Sequence, residues 1–369
     1  MSLQEKRFAA VILAAGLSSR MGDFKPLMNL GGQTVLSRCV EAFQDAGACD
    51  VMVVTGHRAG EVQAEVERLG VSSIHNLLFE QGMFSSVQRA VSSLPVLDAF
   101  FLLPVDIPLV RPATITSLAG AFDGRVTHPC FEGERGHPPL IPFHLVPEIL
   151  RHDGSGGLKG LLLAHPCLDV PVWDQGILLD ADTSEDFAAL VRRFERRHIG
   201  ERGEALALAQ SMPERGMAHG RAVALAAVGL GQEINRHGGA LDLDLLHNAA
   251  LLHDVAKGQP GHEARGGELL AGLGLFGLAE IVASHRDVPP PASGVLTEKE
   301  VVCLADKLVR GSQRICVQDR FAEKLALYSH DAEACAAIRG RLNNALGLLA
   351  LVERICGRNV EEILRGVLA

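Results

Sequence analysis

An apolar run that dissolves into small residues, Val11-Ile12-Leu13-Ala14-Ala15-Gly16, constrains the fold of this chain more than any other stretch. A short, unbroken apolar run of this kind reads as a strand buried on both faces, which implies a parallel sheet covered by helices. Ala14, Ala15 and Gly16 allow a ligand close to the backbone, and peptide N–H groups at such a turn can face phosphate oxygens. Arg20 follows with a planar fork of donors and Lys25 with a mobile point charge, two distinct ways of holding a polyphosphate. The glycine spacing is neither the dinucleotide fingerprint nor a Walker loop. Taken alone, the loop reads equally well as an ordinary strand-to-helix turn with two solvated cations.

Downstream, the apolar spacing predicts a helix over 34–46, a strand over 51–54, a helix over 59–69 and a short strand over 71–75. Alternating strands and helices build a parallel sheet, in which ligands bind beyond the carboxyl ends of the strands. Gly16, Thr55, Gly56 and Asp106 all fall at such ends and are expected to converge on one edge. Gly82, Ser85 and Ser86 open a predicted helix, where Gly82 and Ser86 are candidates for nucleotide contact and the serines equally for capping. The hydrophobic strand from Ala99 delivers Asp106 to its carboxyl end, as a ligand for Mg²⁺ or as a turn former. The segment 133–141 has the chemistry of a substrate-facing loop, and glycines 154, 156 and 157 precede a predicted helix over 158–164. Residues 178–187 read as the end of a strand followed by a capped helix, with Asp182 either a second metal ligand or an N-cap.

The segments LAAGLSSRMGDFKPL, VTGHR, HNLLFEQGMFSSVQRAV, PVDIP, GHPPLIP and LDADTSEDF occur in this order over residues 8 to about 190. Together they resemble the molybdenum cofactor cytidylyltransferases, within the MobA-like nucleotidyltransferase family. The LAAG form resembles the cytidylyl-transferring branch, whereas the guanylyl branch typically reads LAGG. The resemblance implies an α/β Rossmann-like domain with a mostly parallel sheet that binds CTP. It implies that Ala14, Ala15 and Gly16 contact the nucleotide, that Arg20 and Lys25 bind its phosphates, and that Asp106 holds Mg²⁺. Asp182 stands where relatives place a second metal ligand. PVDIP departs from the more usual Gly-Asp-x-Pro, so the wall beside the metal is expected to differ. In the implied reaction the terminal phosphate of a molybdopterin-type cofactor attacks the α-phosphorus of CTP and expels pyrophosphate. Alignment and charge neutralisation, with Arg20, Lys25 and Asp106 as the catalytic groups, suffice for an attacking phosphate that is already anionic. Fold analogy leaves open another phosphorylated acceptor such as a sugar phosphate. A recipient molybdoenzyme or its maturation chaperone is a possible further partner.

Past about residue 200 strand signals give way to the helical period, so the expected domains are 1–197 and 198–369. The charged stretch 192–203 between them reads as a solvated helix end and linker. The helical half carries His219, the pair His253-Asp254, Lys257, His262, His285 and Asp306, mostly within apolar helical surroundings. Neighbouring residues on a helix project about 100° apart, which lets a His-Asp pair reach one metal, and a buried ionisable group without a partner is costly. The pattern His…His-Asp…Asp with two further histidines resembles the HD-domain phosphohydrolase family over about 210–310. The resemblance implies an all-α HD domain with His219, His253, Asp254 and Asp306 on one metal, and His262 and His285 completing a second site. His253, Asp254 and Lys257 would serve catalysis on an unidentified phosphoester. Mixed imidazole and carboxylate ligation favours Mn, Fe, Co or Ni over Ca. The alternative is a regulatory or docking module that hydrolyses nothing.

Charge and cysteine usage narrow the partners. A formal net charge of −9 argues against a broad grip on nucleic acid. Eight scattered cysteines without a Cys-x-x-Cys pair suggest a reducing, cytoplasmic setting. The first residues, MSLQEKRF, do not read as a signal peptide, and no apolar run approaches the roughly 20 residues that span a bilayer. No membrane partner is therefore expected.

Overall fold

The structure, a computed structural model, describes residues 6–17 and 23–367. Two compact units divide it, Met1–Glu195 and Arg196–Ala369. In chain order the first contains β1 (Phe8–Ala14), β2 (Asn29–Leu30), β3 (Gln33–Thr34), α1 (Val35–Asp45), β4 (Asp50–Thr55), α2 (Ala59–Leu69), β5 (Ser72–His75) and α3 (Met83–Val91). It continues with β6 (Ala99–Pro104), α4 (Pro112–Ala121), β7 (Val126–Phe131), β8 (Glu134–Arg135), β9 (Leu140–Pro142), α5 (Val146–Arg151), α6 (Gly157–Leu163), β10 (Cys167–Pro171) and α7 (Ser184–Arg196).

The main sheet runs β10-β7-β9-β6-β1-β4-β5, with β8 attached to β7. Strand β1 is parallel to β4 and β6, β4 to β5, and β7 to β10; β9 runs antiparallel between β6 and β7, and the short β8 antiparallel to β7. The sheet is thus mixed but mostly parallel. Alternation along β1 supplies both faces, because successive strand side chains point to opposite sides. Ala10, Ile12 and Ala14 join a core with α1 and α4, while Ala9, Val11 and Leu13 join a second core with α3 and α5. Ala14 pairs with Thr55, Leu13 with Pro104 and Thr55 with His75. The strands therefore end together, and the segments carrying Gly16, Gly56, Asn76 and Asp106 leave from one edge.

Two expectations need correction. The acidic segment after 178 does not end a strand: a 3₁₀ turn, Gln175–Leu178, leads into an extended link whose Ala181 N donates to Asp106 O at 3.0 Å. The strand lies earlier, at β10, an edge strand with no fully buried residue, so its hydrophobic pattern is weak. Strand β6 stops at Pro104, short of the apolar run's end at Leu109.

The second unit contains α8 (Arg202–Ala209), α9 (Glu214–Arg236), α10 (Leu243–Leu252), α11 (His262–Gly272), α12 (Phe276–Ser284) and α13 (Glu298–Lys307). After a two-residue hairpin, β11 (Val309–Arg310) with β12 (Gln313–Arg314), come α14 (Val317–Leu327), α15 (Ala332–Cys356) and α16 (Val360–Leu364). That hairpin is the one departure from an all-helical half among the described residues. Helix α9 is the spine. A Cβ at Gly220 would fall against the carbonyl oxygen of Leu251, so glycine there lets α9 lie directly on α10. Among the described residues no helix is long and apolar enough to cross a membrane, and all eight cysteines are free thiols.

Candidate functional site

In the first unit the loop after β1 is held by its neighbours. His57 N donates to Ala15 O at 3.2 Å. A Cβ at Gly56 would come within 2.8 Å of the Ala15 and Phe79 side chains, closer than carbon atoms pack. Gly56 thus shapes the loop by letting Ala15 approach. Ala14 and Ala15 are buried, whereas Gly16 is exposed and, among the described residues, would leave a side chain nothing to touch within 4 Å. Among the described residues nothing therefore crowds the backbone at Gly16, which leaves the strand edge exposed. Thr55 is buried and its Oγ1 pairs with His75 Nδ1 at 3.2 Å. Gly82 begins α3 at a φ of 102°, a conformation suited to glycine. Ser86 is buried and accepts from Asn76 Nδ2 at 2.9 Å, while Ser85 Oγ donates to Leu78 O and Gly82 O. Neither serine caps the helix: the N-cap is Gly82. Arg20 lies outside the described residues.

Lys25, Asp106 and Asp182 come together although they are far apart in sequence. Lys25 Nζ is 3.4 Å from Asp106 Oδ2 and 2.9 Å from Asp182 Oδ1. Lys25 opens a 3₁₀ turn seated by buried Phe24 and Pro26. Asp106 is fixed on both sides, since Val105 N donates to Leu13 O at 3.2 Å and Ala181 N to Asp106 O. Thr183, rather than Asp182, caps α7, its Oγ1 accepting from Asp186 N at 3.2 Å. Asp180, which the sequence reading did not single out, joins the cluster. Partial desolvation, then the carboxylates of Asp182 and Asp106, raise it above the ordinary aspartate value. Two carboxylates within ion-pair reach of one nitrogen offer the hard oxygen donors that suit Mg²⁺.

On the same unit, a cavity of about 770 Å³ is lined by Phe84, Arg135, His137 and Lys159 among others. His137 belongs to the loop expected to face substrate. Its Nδ1 is buried without a hydrogen-bond partner among the described residues, and burial lowers its pKa.

The second unit gathers all six residues expected at metals. His219 is buried on α9, His253 follows α10, His262 opens α11, His285 follows α12 and Asp306 lies on α13. His253, Asp254 and His285 thus occupy helix ends rather than helix interiors. Ring orientation is set by backbone carbonyls, which can only accept: His219 Nδ1 lies 3.0 Å from Gly311 O, His253 Nδ1 2.7 Å from Ala250 O, and His285 Nδ1 2.6 Å from Val282 O. With Nδ1 donating, each Nε2 presents a lone pair, the arrangement that metal-binding histidines use.

Those lone pairs meet carboxylates. His219 Nε2 is 3.2 Å from Asp306 Oδ1, and His253 Nε2 is 3.4 Å from Asp254 Oδ2 and 3.7 Å from Asp306 Oδ1. His262 Nε2 and His285 Nε2 lie 3.3 Å and 3.8 Å from Asp254 Oδ1. Two acceptors facing each other need a cation between them. His253 Nε2 is buried and has no hydrogen-bond partner among the described residues. The donor set therefore fits divalent metal ions. Two groups have ligand atoms mutually within 4.8 Å: His219, His253 and Asp254, and Asp254, His262 and His285. Asp254 is common to both. Burial pushes His285 down to about 4, so it is a neutral donor at physiological pH. Asp306 also pairs with Lys307 at 2.8 Å and Arg320 at 3.1 Å, and Asp254 with Lys257 at 2.5 Å.

Comparison with known proteins follows the same division. The family described as MobA-like NTP transferase domain matches residues 10–169, and the HD domain family matches residues 216–311. Molybdenum cofactor cytidylyltransferase of Escherichia coli (strain K12) is 27% identical over 186 residues, 50% of this chain and 95% of that protein. The bifunctional protein GlmU of Sorangium cellulosum (strain So ce56) is 35% identical over 33% of this chain, but only 28% of that protein is spanned. Among solved structures, Rv0371c from Mycobacterium tuberculosis H37Rv is 25% identical, with a TM-score of 0.47 over 51% of this chain and all of that one.

Proposed function

The chain joins a nucleotidyltransferase domain of MobA-like type to an HD domain, and on that premise we propose that the first transfers a cytidylyl group from CTP to the terminal phosphate of a molybdopterin-type cofactor. The similarity to the Escherichia coli cytidylyltransferase over nearly its full length supports this substrate pair. The observation that carries the reading is the meeting of Lys25, Asp106 and Asp182 at the edge where β1, β4 and β6 end. The loop at Ala14, Ala15 and Gly16 offers its backbone to the nucleotide. Lys25, with Arg20 as a second cation, neutralises the phosphates, and Asp106 and Asp182 are the residues that would hold Mg²⁺. Bound there, Mg²⁺ would supply positive charge to the triphosphate oxygens. An acceptor phosphate oxygen forms the new bond to the α-phosphorus while the bond to the pyrophosphate oxygen breaks. Thr55, Gly56 and Ser86 act on this site through the fold: Gly56 shapes the loop, and Thr55 and Ser86 bond within the protein. The cavity beside β6, with Arg135 and Lys159 for phosphate and Phe84 for an aromatic ring, suits the acceptor. The free thiols are compatible with a reducing cytoplasm.

The HD domain is proposed to be a metal-dependent phosphohydrolase. His219, His253, Asp254 and Asp306 would hold one divalent ion, and His262 and His285 would share Asp254 around a second. Such ions would supply Lewis acidity and neutralise charge on a phosphoester. The protein's own part is to fix the imidazoles through Gly311, Ala250 and Val282, and to keep Lys257 beside Asp254. Incubation of the full chain with CTP, Mg²⁺ and a panel of phosphorylated acceptors tests the transferase reading by pyrophosphate release. Release with a molybdopterin-type acceptor supports it, and turnover confined to another acceptor replaces that substrate assignment.

A further inference from the structure

The candidate metal ligands Asp254, His262, His285 and Asp306 of the HD domain share a cavity of about 320 Å³ with a group of cations, and its one other carboxylate, Glu263, is paired with Arg286 at 3.5 Å. Lys307 ends α13, Arg320 and Lys324 lie one turn apart on α14, and Arg341 comes from α15. None of these four belongs to the metal-ligand set. Arg320 is locked, donating to the backbone carbonyls of Asp306 and Val309 and to Asp306 Oδ1. Lys307 is buried and donates to His285 O at 3.2 Å and to Asp306 Oδ2 at 2.8 Å. Lys324 and Arg341 differ: among the described residues neither pairs with a carboxylate, although both line the same cavity. Glu323, the acid nearest in sequence to Lys324, is taken by Arg310 at 2.6 Å. Positive charge is thus gathered beside the candidate metal ligands in a chain whose net charge is −9.

A second cavity of about 570 Å³ shares Asp254, Lys257, Arg320 and Lys324 with the first, and its walls include Met212 and Val309. The cationic pair on α14 therefore borders both a small, strongly charged space and a larger, more apolar one.

Resting on the phosphohydrolase reading, we propose that this wall selects its substrate: a small molecule with two or more phosphates in anhydride linkage, one at the metal ligands and the next on Lys324 and Arg341. A phosphomonoester would leave the outer pair of cations without an anion. A diphosphate spans both, and the more apolar cavity receives whatever the distal phosphate carries. Hydrolysis forms a bond from a water oxygen to the phosphorus at the metal ligands and breaks the P–O–P bridge, whose oxygen leaves with the electron pair. With pyrophosphate the two water protons end on the two products, P₂O₇⁴⁻ + H₂O giving two HPO₄²⁻. Crowding of the cations supports the idea independently: partial desolvation, then the charges of Arg320 and Lys307, hold Lys324 below the ordinary lysine value.

Calorimetric titration of the Mn²⁺-loaded full chain with methylenediphosphonate, a nucleoside α,β-methylene diphosphate and inorganic phosphate tests the proposal without turnover. The diphosphonate should bind about tenfold or more tighter than phosphate, the gain expected from one added charge-assisted contact. Lys324→Ala and Arg341→Ala should each erase most of that preference, and Lys324→Arg should keep it. Comparison of the two diphosphonates shows whether a free or a nucleoside-linked diphosphate is preferred. Equal binding of phosphate and both diphosphonates, or a preference untouched by Lys324→Ala and Arg341→Ala, overturns the proposal. Hydrolysis of either pyrophosphate or p-nitrophenyl phosphate by the same preparation, and its loss in His253→Ala, reports on the phosphohydrolase reading alone. Diphosphonate selectivity without hydrolysis of pyrophosphate, a nucleoside diphosphate or p-nitrophenyl phosphate would keep the anion site and remove the enzyme assignment.

Discussion

Replacing Gly220 by alanine should damage the proposed metal site without touching a candidate ligand. The added Cβ would fall against the Leu251 carbonyl oxygen, 3.2 Å from its carbonyl carbon and 3.5 Å from its Cα. These are backbone atoms within α10, so they cannot swing aside, and the helices must separate by on the order of 1 Å to restore ordinary contact. Gly220 follows His219 directly, and Leu251 precedes His253 by two residues, while the two imidazole rings are 5.1 Å apart. The separation therefore opens the gap across which both rings reach Asp254 and Asp306. Overpacking of this kind costs about 1–3 kcal/mol. At about 2–4 °C per kcal/mol for a unit of this size, the melting temperature should fall by about 2–12 °C. Metal affinity should fall about 10–100-fold, as when other supports of metal ligands are removed. Gly340→Ala is the internal control: it lies within α15 with nothing within 4 Å of the added Cβ, and should stabilise by about 0.5–1 kcal/mol. Thermal melting, with chelator competition for Mn²⁺, measures both effects. A Gly220→Ala protein that melts with the wild type and holds metal as tightly would refute the close approach as the device that sets the site.

Lys25→Ala should lower CTP-dependent pyrophosphate release by about 10²–10³-fold, the scale of losing one preorganised charged donor, with circular dichroism unchanged. His253→Ala should reduce the rise in melting temperature that Mn²⁺ produces. In the wild type one site contributes about 2.7 kcal/mol to that rise at a metal concentration a hundred times Kd, and an undiminished rise in the variant would place the metal away from His253. Asp174 is wholly buried and accepts from Arg111 N at 2.7 Å, Thr114 Oγ1 at 2.7 Å and Gly176 N at 2.9 Å. Asp174→Ala should therefore destabilise the first unit by about 3–5 kcal/mol in urea denaturation, and a loss below about 1 kcal/mol would mean that water replaces these bonds.

The first unit is legible in sequence where burial is two-sided. Strands β1, β4 and β6 are continuous apolar runs, and helix α2 occupies the range its apolar spacing predicts. β10 escapes because an edge strand needs little apolar surface. The meeting of Lys25 with Asp182 is invisible to spacing, since the chain must return past the whole sheet before Asp182 arrives. Family resemblance points to those positions, while the geometry adds Asp180 and His137. In the second unit the candidate ligands can be found by motif, but not that Asp254 belongs to both groups of them or that backbone carbonyls orient the rings. The cationic wall is hidden because Lys307, Arg320 and Arg341 look like solvated charges on three separate helices. Only packing turns them toward one space.

The most direct test is anomalous diffraction at the manganese edge from crystals of the full chain soaked with CTP and Mn²⁺. The account predicts one peak beside Asp106 and Asp182 with the triphosphate next to Lys25, and peaks on either side of Asp254 among His219, His253, His262 and His285. CTP bound away from Lys25, or no anomalous density at Asp254, would contradict it.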